Sequence, residues 1–138
     1  PESGHITAPS AINAQDILVY VVRKDGAYLY LPEDNKLQRV SDKDLRKAVA
    51  GQQEFAADAP VSLVLVSNHG KFGDLAHAAS RLGLIDSGYV SMNIALACAA
   101  MGLENVPRVT MDGETLRKEL GLTDGMDLIL NQPIGYAK

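Results

Sequence analysis

Residues 85–101 (IDSGYVSMNIALACAAM) constrain the fold more than any other segment of this chain. They have the length of a long helix, and in their second half Ile94, Leu96, Ala97, Cys98, Ala99, Ala100 and Met101 leave no polar face. A helix that is apolar all round has to be covered, either by a core or by an interface. Gly102 follows where a helix-ending glycine is expected. Cys98 is the single cysteine, so an intrachain disulfide is impossible. Its alanine neighbours point to a small buried thiol rather than a nucleophile.

The rest of the chain arranges itself around that helix. Residues 16–23 (DILVYVVR) read as a strand rich in β-branched residues, and Asp25-Gly26 turns it into a second strand over residues 27–31. Residues 37–40 make a short third strand, so the chain opens with a meander whose modest apolar content suits a half-exposed sheet edge. Ser41, with Asp44 in the capping-box position, predicts a helix running to Ala50 that stops at Gly51. Residues 60–66 (PVSLVLV) are the most hydrophobic strand and are expected at the sheet centre, buried on both faces. A loop over residues 67–73, a helix over residues 74–82 capped by Asp74, and the long helix come next. Residues 105–110 read as a strand or extended loop. Asp112 caps a helix through Leu120 that ends at Gly121, and residues 127–133 form the last strand. A hairpin followed by irregular alternation, with no βαβ repeat, favours an α+β domain. Residues 1–138 are read as one domain, which the length supports.

Composition excludes some partners. The apolar fraction is 46%, the charged fraction 22%, and the net charge -4 with no gathered Lys or Arg block. Nucleic acid is therefore not expected, because a basic patch supplies most affinity for phosphate backbones. No continuous apolar run reaches the ~20 residues that cross a bilayer, so no membrane partner is expected. The three histidines, His5, His69 and His77, lack the spacing of a metal pair, and no metal is expected. The loop around Asn68-His69-Gly70-Lys71-Phe72-Gly73 follows a strand as a phosphate loop does, yet lacks the P-loop spacing and its Lys-Ser/Thr ending. No Gly-x-Ser-x-Gly elbow, catalytic triad or carboxylate pair is evident. An enzyme built on this chain would need a cofactor for its chemistry.

One polar segment remains. In residues 8–15, Ser10, Asn13 and Gln15 alternate with small residues just before a buried strand. Two readings stand side by side: these side chains bond their own turn, or they offer hydrogen bonds to a ligand at the sheet end.

Ala8-Pro9-Ser10-Ala11 with Asn13 and Gln15 resembles the P-S-x-x-N-x-Q segment of the nitroreductase family. Ala59-Pro60 leading into residues 61–66 is similar to the family's central strand. Ile85-Asp86-Ser87-Gly88, Asn93, Leu96-Ala97 and Met101-Gly102-Leu103 resemble its long dimer-core helix. Residues 116–122 and Gln132-Pro133-Ile134-Gly135-Tyr136 are similar to its late helix and closing P-[VI]-G-Y strand. The resemblance runs in order along nearly the whole chain.

That resemblance implies a nitroreductase-like three-layer α-β-α sandwich with a mixed, largely antiparallel sheet, working as a homodimer in the cytoplasm. It implies FMN at the dimer interface, electrons from NAD(P)H, and a flat electron-poor acceptor such as a nitroarene or quinone. The cofactor-binding residues it implies are Ser10, Asn13 and Gln15, together with Arg108, Val109 and Thr110 from the loop against the flavin's reactive edge. The departures are specific. The family's N-terminal helical segment with its Arg-rich phosphate site, and a basic anchor after the last strand, are not found in these residues. Val109 and Thr110 stand where small glycines are common, and Gln15 is followed by Asp16-Ile17 rather than Pro-Trp. The alternatives are a noncatalytic ligand-binding or scaffold domain, and a flavin-dependent dehydrogenase acting on a modified peptide.

Overall fold

The computed structural model describes residues 6–137, so His5 lies outside the described residues. Six strands form one sheet in the order β3-β2-β1-β4-β6-β5: β1 Ile17–Arg23, β2 Gly26–Leu31, β3 Lys36–Ser41, β4 Val61–Asn68, β5 Glu104–Asn105 and β6 Met126–Gly135. Every pairing is antiparallel, which sharpens the mixed sheet expected from the sequence. The hairpin, the half-exposed third strand and the buried central strand all stand where the residues put them. β4 is buried at Ser62 and from Val64 to Ser67, with β1 on one side and β6 on the other.

Side-chain alternation divides the sheet into two unlike faces. Tyr20 and Val22 of β1 and Val64 and Val66 of β4 point into an apolar core, closed by α1 (Arg46–Ala50) and α3 (Gly113–Glu119) through Leu45, Val49, Leu116 and Leu120. The other face carries Leu65, Ser67 and Gln132, all fully buried, beneath α2 (Ala79–Met101). Layers of α1 with α3, sheet, and α2 make the three-layer α+β sandwich.

α2 is one continuous helix of 23 residues. The two helices expected over residues 74–82 and 85–101 are thus merged, and Asp74 is not a cap: Gly73–Ala78 is a 3-10 segment and Ala78 precedes the helix. Gly83 does not break α2, because the helix needs a glycine there. A Cβ on Gly83 would fall 2.7 Å from Ser67 Cβ and closer still to Ser67 Oγ. By length and composition the stretch Gly73–Met101 suffices to cross a bilayer, which no continuous apolar run in the sequence suggested; soluble core helices meet the same criterion.

The burial of α2 is inverted relative to an ordinary amphipathic helix. Gly83, Asp86, Ser87, Ser91 and Cys98 face its own sheet. Leu84, Ile85, Tyr89, Met92, Leu96 and Met101 are exposed, Leu96 at 62%. Polar groups inside are satisfied in part by the sheet: Ser91 Oγ donates to Gln132 Oε1 at 2.9 Å, and Gln132 Nε2 donates to Asn105 Oδ1 at 2.7 Å.

Ser41 is not a helix cap. β2 claims it as the last residue of β3, opposite Ala27, and its hydroxyl accepts from Lys43 N–H at 3.2 Å. The helix begins only at Arg46, whose N–H donates to Asp44 Oδ1 at 3.1 Å. Asp112 caps α3 as expected, with Oδ1 accepting from Thr115 N–H at 3.2 Å.

Candidate functional site

The segment from Ser10 to Gln15 is held in a backbone shape its residues do not favour. Ile12, Asn13 and Gln15 have φ of 50°, 54° and 49°. For a β-branched residue such as Ile12 the left-handed region is unfavourable. Ile12 and Gln15 each store about 1–3 kcal/mol this way, and the strain persists only where the surroundings fix it, whereas Asn13 is of a type that tolerates the left-handed region.

The surroundings here are specific. Ser10 Oγ accepts from Gln15 N–H at 2.9 Å, so Ser10 performs the turn chemistry open to it from sequence. Gln15 Nε2 donates to Asn13 Oδ1 at 3.2 Å, which ties the other two polar residues together near the surface. Ala11 N–H donates to both carboxyl oxygens of Asp86, at 3.1 Å each. The loop therefore rests on α2.

Beneath it lies a carboxyl pair that sequence reading missed. Asp16, fully buried, accepts from the Ser67 hydroxyl at 2.5 Å through Oδ2, while Oδ1 has no donor among the described residues. Asp86 lines the same small cavity as Asp16, and burial first, then this neighbour, push its carboxyl up to about 6 against the lowering effect of Ala11 N–H. Seventy positions separate the two in the chain, so no spacing rule joins them. The only signal was an acid at the mouth of each apolar run.

Val109 and Thr110 lie elsewhere, beyond the β6 edge. With Lys47, Gly51 and Met111 they line an open groove of about 540 Å³, a volume within the range of ligand sites. Gly51, at φ 58°, permits this, since a Cβ there would press 3.1 Å from the Met111 backbone. Arg108 is turned inward. Its guanidinium donates to the Val49 and Ala50 carbonyls at 3.1 and 2.7 Å, to Gln53 Oε1 at 2.8 Å and to Asn131 Oδ1 at 2.6 Å. Desolvation lowers its pKa. The Arg108 side chain thus caps the C-terminal end of α1, while Val109 stands 76% exposed in the groove.

Among the described hydrogen bonds none joins the loop at Ser10–Gln15 to the groove at Val109 and Thr110. The first is tied to α2 beside β1, and the second to α1, where Asp112 N–H donates to the Ala48 carbonyl at 2.8 Å. β4 and β6 lie between β1 and the edge at which Arg108 pairs with Asn131. His69 Nε2 meets Asp127 Oδ2 at 2.7 Å at the end of β4. His77 is exposed and Cys98 is buried, its thiol pushed up by desolvation. Among the described residues no cluster of metal ligands occurs.

This architecture defines an α+β protein with a strained polar loop at one sheet end and a groove past the opposite edge. The chain belongs to the nitroreductase family, whose model matches residues 4–136. A relative from Methanocaldococcus jannaschii that bears a nitroreductase name is 29% identical over 118 residues, spanning 76% of this chain and 58% of the relative. A crystal structure named as a nitroreductase from Ralstonia eutropha superposes with a TM-score of 0.90 and 32% identity, over 100% of this chain and 66% of that one. The NADPH:FMN oxidoreductase of Vibrio harveyi, solved with NAD+, shares the fold at a TM-score of 0.72 and 18% identity, over 99% of this chain and 56% of its own. The chain therefore spans about three-fifths to two-thirds of the length of the relatives it resembles.

Proposed function

We propose that this chain forms the core of an FMN-dependent oxidoreductase that passes electrons from NAD(P)H to a flat, electron-poor acceptor such as a nitroarene or quinone. The observation that carries the reading is the strained loop: Ile12, Asn13 and Gln15 are held left-handed against α2, and the inference from such strain runs to a binding role. Membership of the nitroreductase family supports it.

The residues present fit a flavin in two places. Asn13 and Gln15 present amide groups at the surface of a fixed loop, where they suit the polar edge of a ring system. Val109, Thr110 and Met111 line an open groove of about 540 Å³ together with the polar Lys47, Gln52 and Asp112, so it offers a ring both a small apolar contact and polar groups at its rim. One chain keeps these places apart, so a single site draws the loop from one copy and the groove from another. The exposed apolar face of α2 supports a homodimer of that kind, because an uncovered helix face of this size is costly in water. When bound, the flavin supplies hydride acceptance and electron transfer. The protein's share is to orient the ring through Asn13 and Gln15, to stack against it through the groove, and to exclude water.

The test is an FMN titration by fluorescence on wild type and Asn13→Ala, with melting curves of both apo forms. A neutral hydrogen bond contributes about 0.5–1.5 kcal/mol, so a roughly tenfold loss of affinity is expected, alongside a modestly lower melting temperature because alanine is less tolerant of φ 54° and loses the bond from Gln15. A variant that melts lower yet binds FMN as wild type does would make Asn13 a turn residue only. A colourless protein that ignores FMN would favour the scaffold reading.

A further inference from the structure

Arg108 carries a buried charge that no acid balances among the described residues. It is 7% exposed, and its acceptors are all neutral: the Val49 and Ala50 carbonyls, Gln53 Oε1 and Asn131 Oδ1. The Phe55 ring covers one face of the guanidinium, 5.6 Å from Cζ to the ring centroid. None of the ion pairs includes Arg108. Neutral acceptors satisfy its N–H groups without cancelling the charge, whereas buried charges are paired as a rule. A guanidinium cannot shed its proton to escape. Its potential therefore acts on whatever lies close by, and acts strongly where water is excluded.

What lies close by is the groove. Val109 follows Arg108 in the chain, and the Thr110 carbonyl is held by the same Asn131. Gly51 and Gln52 line the groove between Ala50 and Gln53, two residues that the guanidinium binds. A second cation, Lys47, lines the groove from the solvent side, exposed and without an ion pair among the described residues. Its neighbour Arg46 is already tied to Asp44 at 2.8 Å. One acid lines the groove, Asp112, and Thr115 engages both of its oxygens, N–H to Oδ1 at 3.2 Å and Oγ1 to Oδ2 at 2.6 Å. Lys47 and Arg108 thus face a single carboxylate that is committed to the start of α3. Val109 and Met111 add apolar surface to the same wall. An excess of one positive charge beside a small apolar wall suits a ring that carries one negative charge.

We propose that this groove selects flat aromatic monocarboxylates, with Lys47 meeting the carboxylate as the specificity-determining residue and Arg108 acting through the wall. As the acceptor class of the enzyme, the proposal rests on the reading of the groove as part of a flavin site. The preference for an anion does not depend on that reading.

Titrations of the full chain followed by NMR test it, observing the amides of Val109, Thr110 and Met111. The probes are para-nitrobenzoate, its neutral isostere para-nitrobenzamide, and inorganic phosphate. At low salt the acid is expected to bind roughly five- to tenfold tighter than the amide, with the preference shrinking at about 0.15 M salt. Lys47→Gln is expected to weaken the acid roughly threefold and leave the amide unchanged, in keeping with an exposed charge. Asp112→Asn keeps a capping residue while removing the opposing charge, so it is expected to tighten the acid several-fold. Equal affinity for acid and amide, an acid preference that survives Lys47→Gln, or phosphate binding as tight as the acid would overturn the proposal. Repeating the series with FMN present separates the two readings. A chain that takes up FMN yet shows no acid preference sinks this inference alone. Displacement of FMN by the acid overturns the acceptor role. An acid preference in a chain that never takes up FMN removes the flavin reading and upholds the anion site.

Discussion

Arg108 and Asn131 are joined three times: each backbone N–H donates to the other's carbonyl at 2.8 Å, and Arg108 Nη1 donates to Asn131 Oδ1 at 2.6 Å. Asn131 Nδ2 in turn donates to the Thr110 carbonyl at 3.0 Å, so this pair fixes the wall of the groove at Val109 and Thr110. The guanidinium reaches two carbonyls of α1 as well, which makes it the clasp between α1 and the β6 edge.

Removing that clasp strands several buried acceptors at once. Arg108→Met is expected to cost roughly 3 kcal/mol in chemical denaturation, since each orphaned buried group costs about 1–3 kcal/mol. Arg108→Lys is expected to recover only part of it, because one ammonium cannot span the four acceptors that the guanidinium fork reaches. Equal stability of Arg108→Met and wild type would show that water replaces the guanidinium without loss.

Gly83→Ala sets helix propensity against packing. The alanine favours the helix by about 1 kcal/mol, yet its Cβ falls against Ser67. Overpacking of about 1–3 kcal/mol outweighs the gain, so the expected result is a net loss. Adding Ser67→Gly should restore part of the packing contribution, and a double-mutant cycle in urea would read the coupling.

The outer face of α2 predicts association. The chain is expected to be dimeric by light scattering at micromolar concentration, with a melting temperature that rises with concentration. Leu96→Asp is expected to prevent folding rather than release a stable monomer, because an obligate interface resembles a domain core cut in half. A well-folded monomer would contradict this.

The pH dependence has a definite sign. Asp86 has its folded pKa raised to about 6, above the ordinary value of about 3.9. Its stabilisation is fully present below the unfolded value and is lost as pH rises through about 6. Urea midpoints of wild type should therefore fall relative to Asp86→Asn across that window. Asp25, Asp44 and Asp112 act in the opposite direction. Arg23, Arg46 and Thr115 respectively hold their carboxyls below the usual range. Their contributions are lost as pH falls.

Much of the architecture was legible because its causes are local. Asp25-Gly26 turned the first hairpin, the Val- and Leu-rich run became β4, Gly51 and Gly102 stopped their helices, and Asp112 capped α3. Each depends on residues within a few positions of one another. Ser41 misled because a cap and a strand end use the same residue type, and the pairing with Ala27 settled which it became.

The sequence by itself determined that residues 85–101 form a helix in need of cover, and that residues 8–15 are a polar loop ahead of a strand. Only the tertiary structure decided which side of the helix needs cover. Its polar residues face the sheet, where Gln132 accepts from Ser91, and its apolar residues turn outward. Only the tertiary structure brought Asp16 to Asp86 and set Arg108 against the carbonyls of α1. Those contacts join residues tens of positions apart, and they exist because a sheet fixes register between strands while a glycine lets a helix descend onto it. Backbone propensity and hydrophobic period carry no record of either.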